Sequence, residues 1–261
     1  MTEMAEAPLL RVRGLTKFYG ARVGCLDVGF DVWPGEVLGL VGESGSGKTT
    51  ILNCLSGRIS AGAGIAEYMS RDGTISDVLR LAEPARRRLL RTEWGVVHQN
   101  PRDGLRMGVT AGANVGEPLM DLGARHYGAI RGRALQWLDH VEIARDRIDD
   151  LPESFSGGML QRLQIARNLV TRPRLVLMDE PTGSLDMSVQ ARLLDLLRSL
   201  VAELDLSAIV VTHDLAVARL LAHRLVVMKN GEAVETGLTD QVLDDPQHPY
   251  TQLLVSSVLH P

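Results

Sequence analysis

A chain of 261 residues is long enough for one or two domains of roughly 150 residues each, and a core of that size needs no disulfide scaffold. Its composition, 45% hydrophobic and 23% charged with 26 glycines and 11 prolines, excludes a disordered or collagen-like chain. Twenty-eight basic against thirty-two acidic residues give a net charge of -4, so no global basic field points to nucleic acid as a partner.

Cys25 and Cys54 lack metal-ligand spacing and are expected to be two buried thiols. No apolar run reaches the ~18 residues of a membrane span. Met1 to Pro8 carries acidic residues where a signal peptide would be basic and then apolar. The chain is therefore expected to be cytoplasmic, without direct membrane insertion.

Along the chain, Leu26, Val28, Phe30 and Val32 alternate with polar or small residues, the period of a half-buried strand, and Pro34-Gly35 marks a turn. The opening is expected to be antiparallel β. Val37 to Val41 is a short apolar run ending in Gly42, and helical spacing begins at Lys48 through Ile51, Leu52 and Leu55. Residues 58 to 93 are mixed, and Arg86, Arg87, Arg88 and Arg91 suggest a solvated helix face. The strand signal disappears from Pro101 to Arg174, where Gly128 to Val141 and Met159 to Val170 carry helical spacing. Leu175 to Met178 and Ala208 to Val211 are further buried-strand runs, with a helical stripe from Val189 to Val201 between them. Asn230-Gly231, flanked by apolar runs, is a strong hairpin signal. Strands alternating with helices imply a mainly parallel α/β sheet with ligands at the carboxyl ends of its strands.

Gly42-Glu43-Ser44-Gly45-Ser46-Gly47-Lys48-Thr49 fits the phosphate-loop pattern between a predicted strand and a predicted helix. Glycines let successive N–H groups converge on a phosphate at a helix N-terminus. Lys48 would supply a point charge to the β- and γ-oxygens, and Thr49, ahead of Thr50, a hydroxyl to Mg²⁺. Asp179 follows an apolar strand and can hold Mg²⁺ through water, which leaves Glu180 as candidate base. Taken alone, Asp179-Glu180 could also cap a helix, and Ser156-Gly157-Gly158 could be an N-cap serine followed by loop glycines.

The order of phosphate loop, Gln99, Ser156-Gly157-Gly158, Leu177-Met-Asp-Glu180, Ser184-Leu-Asp186 and His213 resembles that of the ATP-binding cassette ATPases, from about residue 8 to residue 237. The resemblance implies an α/β cassette fold, with a RecA-like core and an antiparallel β portion over 1–99 and 174–237. It further implies a helical signature subdomain over 100–173, before a C-terminal helical extension over 238–261. It makes Tyr19 the residue that stacks on adenine and Gln99 a contact of Mg²⁺ and the attacking water. His213 becomes the switch histidine at the γ-phosphate. Ser156, Gly157 and Gly158 would close over ATP bound to a second cassette in a head-to-tail dimer, with Asp186 communicating across the interface. The implied reaction is hydrolysis of ATP to ADP and phosphate. The signature departs from the family's Leu-Ser-Gly-Gly-Gln, because this chain has Phe155-Ser-Gly-Gly-Met159.

His248-Pro-Tyr-Thr251, after Asp244-Asp-Pro246, resembles the C-terminal extension of ATPases that drive oligopeptide, dipeptide and nickel importers. Three other segments, Arg88 to Gln99, Gly123 to Gly128 and Arg147 to Pro152, resemble more closely the ATP-binding proteins of the bacterial carbon-phosphorus lyase system for phosphonate breakdown. That resemblance implies soluble lyase core subunits as partners, with an importer permease as the alternative. No three-cysteine cluster motif is present for radical chemistry in this chain itself.

Overall fold

The computed structural model describes residues 7–183 and 185–258. In chain order the strands and helices are β1 (Leu10–Tyr19), β2 (Arg22–Val32), β3 (Val37–Val41), α1 (Lys48–Leu55), β4 (Ala63–Met69), β5 (Ile75–Asp77), α2 (Glu83–Thr92), β6 (Trp94–Val97), α3 (Ala111–Asp121), α4 (Tyr127–His140), α5 (Gly157–Leu169), β7 (Leu175–Asp179), α6 (Met187–Leu204), β8 (Ser207–Thr212), α7 (Leu215–Leu221), β9 (Arg224–Lys229), β10 (Glu232–Leu238), α8 (Thr239–Asp244) and α9 (Pro249–Val258). They fall into two compact units, one of residues up to Arg86 together with those from Asp205 onward, the other Arg87–Leu204.

In the first unit β2, β1, β4 and β5 form an antiparallel sheet in that order. The alternation read in the sequence of β2 is real, since Val28, Phe30 and Val32 are buried and their neighbours are not. A second group runs β10-β9-β3-β8, with β3 parallel to both β8 and β9, and β9 and β10 paired as an antiparallel hairpin. All five residues of β3 are buried, as expected of a strand covered on both faces. Val41 pairs with Thr212, so the chain leaves these two strands side by side.

The second unit holds β6 and β7 in parallel, with Val97 opposite Met178, and helices α3, α4, α5 and α6. Its core includes Trp94, Leu138, Ile143, Leu163 and Ile165. The apolar stripe read after Asp186 becomes α6, with Leu193, Leu196, Leu197 and Leu200 buried. α2 buries no residue completely. Three of its four arginines are exposed, whereas Arg86 is half-buried and donates to the carbonyls of Leu81 and Gly57. Both cysteines are free and buried. Among the described residues no helix is long and apolar enough to cross a membrane.

Candidate nucleotide site

Two groups of predicted site residues are built separately, one on each unit. In the first, the buried strand β3 ends at Val41 and the chain turns through residues 42–47 into α1. Gly42 (φ 140°) and Gly47 (φ 106°) adopt backbone conformations that side chains disfavour. A Cβ on Gly42 would collide with the Met228 carbonyl, and one on Gly47 with the Gly24 carbonyl. Gly47 caps α1 without any side-chain hydrogen bond, which leaves that helix start suited to an anion.

Lys48 is only 4% exposed, and its Nζ donates to Gly42 O at 2.7 Å, Glu43 O at 2.8 Å and Ser46 Oγ at 3.3 Å. A buried ammonium must be hydrogen-bonded, and here the loop's own carbonyls hold it within the turn. Glu43, Ser44, Gly45 and Thr49 are exposed, Ser46 is buried and Thr50 half-buried. Tyr19, 47% exposed at the end of β1, has its hydroxyl 3.5 Å from Thr50 Oγ1, and the Lys17 ammonium lies 5.6 Å from its ring centroid. The aromatic face predicted for adenine is thus beside the loop. His213 is exposed immediately after Thr212, the register partner of Val41. Asp214, the next residue, caps α7 by accepting from the amides of Ala216 and Val217.

In the second unit the parallel register of β6 and β7 carries two residues past its last pair to Gln99 and Glu180, and Gln99 Nε2 donates to Glu180 Oε2 at 3.1 Å. Asp179 ends β7, half-buried after four buried residues. Glu180 has a φ of 42°, left-handed backbone that is unusual for a side-chain-bearing residue, and Gly183 N donates to its carbonyl at 3.1 Å.

Ser156 is the N-cap of α5, its Oγ accepting from Met159 N at 3.3 Å, and Gly157 and Gly158 form the first turn. The capping role open in the sequence is therefore real, and it presents the Ser156 hydroxyl and the glycine amides at a helix start. Asp186 is exposed, its carbonyl accepting from Val189 and Gln190 at the start of α6. Ser184 lies outside the described residues.

Two side chains around this second group were not singled out from the sequence. Gln164, completely buried on α5, accepts from His98 N at 2.7 Å and donates to His98 O at 3.1 Å, gripping the main chain next to Gln99. Arg147 lies 4.5 Å from the Phe155 ring centroid, reaches Met159 Sδ at 3.6 Å and pairs with Asp150 at 2.7 Å. It packs on both residues at which the signature departs from the family pattern.

The ABC transporter family profile matches residues 25–183, and an oligopeptide/dipeptide transporter C-terminal region profile matches residues 234–261. The chain is 66% identical to PhnK of Escherichia coli (strain K12), named for phosphonates utilization and ATP binding, over 97% of this chain and 98% of that protein. It is 38% identical to an ATP-binding protein of Brucella ovis named for peptide import, over 98% of this chain and 79% of that one. Among solved structures, a dimeric post-hydrolysis state of the ATP-binding cassette MJ0796 bound to ADP and phosphate superposes with a TM-score of 0.77 at 30% identity, covering 88% of this chain and 98% of that one.

Proposed function

The chain belongs to the ABC transporter family of ATP-binding cassettes, and from that premise we propose that it is the ATP-hydrolysing subunit of a carbon-phosphorus lyase system that breaks down organic phosphonates. One observation carries this reading, the 66% identity along nearly the whole of a protein named for phosphonates utilization, against 38% for a relative named for peptide import.

In this reading the loop from Gly42 to Thr50 and the start of α1 receive the phosphates, and Lys48 turns its ammonium from the loop carbonyls to the β- and γ-oxygens. Tyr19 stacks on the adenine. Thr49, Gln99 and Asp179 offer hydroxyl, amide and carboxylate oxygens, a hard donor set that fits Mg²⁺. With its nitrogen on Glu180, Gln99 keeps its Oε1 for that purpose. Among the described residues there is no cluster of three or more His, Cys, Asp or Glu that could hold a metal. The ion, when bound, neutralises charge on the phosphoryl oxygens.

Glu180 takes the proton of the attacking water, Gln99 orients that water, and His213 contacts the γ-phosphate. The hydroxyl of Ser156 and the amides of Gly157 and Gly158 close over ATP held by a second cassette, the same chain or a related one, in a head-to-tail dimer with Asp186 at the interface. Dimer closure and hydrolysis change the conformation of a soluble lyase core.

A second reading, the motor of an oligopeptide, dipeptide or nickel importer, is favoured by the match of residues 234–261 to a transporter C-terminal region. The two separate in one experiment. Tagged Glu180→Gln protein, which keeps the site's shape without its base, is captured with ATP and Mg²⁺ from soluble and detergent-extracted fractions of the host. Soluble lyase subunits are expected among the captured proteins; recovery of a multispan permease in their place would overturn the lyase assignment. Hydrolysis by Glu180→Gln at the wild-type rate would refute the role given to that carboxylate.

A further inference from the structure

The carboxyl-terminal segment reaches the phosphate loop. Tyr250, 5% exposed in the first turn of α9, accepts on its hydroxyl a hydrogen bond of 3.1 Å from the backbone N–H of Glu43. That N–H and the Gly42 carbonyl belong to one peptide group, and the Gly42 carbonyl is the oxygen to which Lys48 Nζ donates at 2.7 Å. A peptide group is planar and turns as a unit. Tyr250 and Lys48 therefore hold the two ends of the same plane, at the first peptide of the loop.

Tyr250 is itself fixed from several sides. The Lys229 ammonium, at the end of β9, lies 4.8 Å from its ring centroid. Its own N–H donates to His248 Nδ1 at 3.1 Å. The Glu235 carboxylate on β10 accepts from Gln247 N at 2.8 Å and His248 N at 3.0 Å, which anchors the residues just ahead of α9. The tyrosine hydroxyl thus acts on the orientation of the Gly42–Glu43 peptide.

We propose that Tyr250 is a positioning residue for the phosphate loop and that the segment from Glu235 to α9 is the strut that holds it. The inference rests on the reading that this loop binds ATP. When the Lys48 ammonium moves from the Gly42 carbonyl to a phosphate oxygen, Tyr250 is the contact that keeps the Gly42–Glu43 peptide from rotating with it.

The test compares Tyr250→Phe, Tyr250→Leu and Lys48→Ala in the full-length chain, measuring the Kd for MgATP by calorimetry, the ATPase kcat and the melting temperature without nucleotide. Tyr250→Phe keeps the ring under Lys229 and loses only the hydroxyl. Its Kd is expected to rise about threefold to tenfold, because the freed loop peptide must then be ordered when the nucleotide binds. Its kcat is expected to stay within about twofold, and its melting temperature to fall by no more than about 4 °C, the scale of one hydrogen bond in a chain of this size. Tyr250→Leu should show the same rise in Kd with an added loss of melting temperature. An unchanged Kd in Tyr250→Phe, with binding abolished in Lys48→Ala, would overturn the strut and leave the loop's role intact. Unchanged binding in Lys48→Ala would overturn the loop reading, and the strut with it.

Discussion

Replacing Gln164 by leucine tests whether the signature helix controls Gln99 through the main chain. The Gln164 side chain is fully buried and bonds both main-chain polar groups of His98, accepting from its N–H at 2.7 Å and donating to its carbonyl at 3.1 Å. Leucine is of similar size but has no polar atom. The His98 carbonyl keeps a long contact of 3.5 Å to Gln161 Nε2, whereas the His98 N–H loses its Gln164 acceptor and the buried Gln161 Oε1 loses the Gln164 donor 3.3 Å away. Removing the partner of a buried polar group costs about 1–3 kcal/mol. With a urea m value of about 2–3 kcal/mol/M, a loss near 2 kcal/mol moves the unfolding midpoint down by roughly 0.7–1 M. Because His98 adjoins Gln99, ATPase turnover per folded molecule should also fall. In a Gln99→Ala background that second effect should vanish, since the residue it acts through is gone. Urea unfolding followed by circular dichroism and phosphate release at saturating ATP measure the two effects. An unmoved midpoint with wild-type turnover would refute the reasoning, and additive loss of turnover in the double variant would refute the route through Gln99.

The other predictions concern packing, titration and thiol access. Gly158→Ala places a methyl against Val189 Cγ1, where α5 meets α6, and should lower stability by about 1–3 kcal/mol in the same urea assay; a neutral effect would show that this contact relaxes freely. Burial pushes the Glu235 carboxyl up, but the Thr251 hydroxyl, the Gln247 and His248 amides and the His248 charge outweigh it and hold the group below the usual carboxylate range. Its contribution is therefore complete above the unfolded value of about 4.3 and is lost as pH falls through the lower folded value. Glu235→Gln should accordingly show a shallower decline in stability than wild type over that acid range; parallel acid limbs would remove Glu235 from the account. Hydrogen bonding to Cys54, burial and the Cys54 charge raise the Cys25 pKa, so Cys25 should resist alkylation at pH 8 in the folded chain and react in urea. Rapid labelling of Cys25 in the native state, read by mass spectrometry, would contradict the burial of that pair.

How much of this was legible in the sequence depends on how local each signal is. The phosphate loop was readable because strand, glycine turn, lysine and helix occur within a few residues, and each residue type has one job there. The Asn230-Gly231 hairpin was readable for the same reason, and both residues have positive φ. Gln164 was not readable, because a glutamine within the stripe of Leu163, Ala166 and Leu169 looks like a solvated position. Its partner, the main chain of His98, is 66 residues away. α3 was hidden by Gly112, Gly116 and Pro118, which resemble breakers, although Thr110 caps the helix by accepting from Ala113 N. The bond between Gln99 and Glu180 depends on the β6/β7 register, which no local pattern states. Tyr250 was read only as part of a tail motif, since nothing nearby in sequence points to a residue 207 positions earlier.

That last separation has a consequence for synthesis on the ribosome. The Glu43 amide meets its tyrosine partner only after 207 further residues are made, and the Val37 N–H meets its acceptor, His223 Nδ1, only after 186. At about 5–20 residues per second those 207 residues take roughly 10–40 s. For most of that interval β3 lacks both of its parallel neighbours, because β8 begins only at Ser207 and β9 only at Arg224. The nascent chain therefore carries a complete glycine loop on an unpaired apolar strand, and translation through α9 sets the earliest moment at which both loop and strand have all their supports.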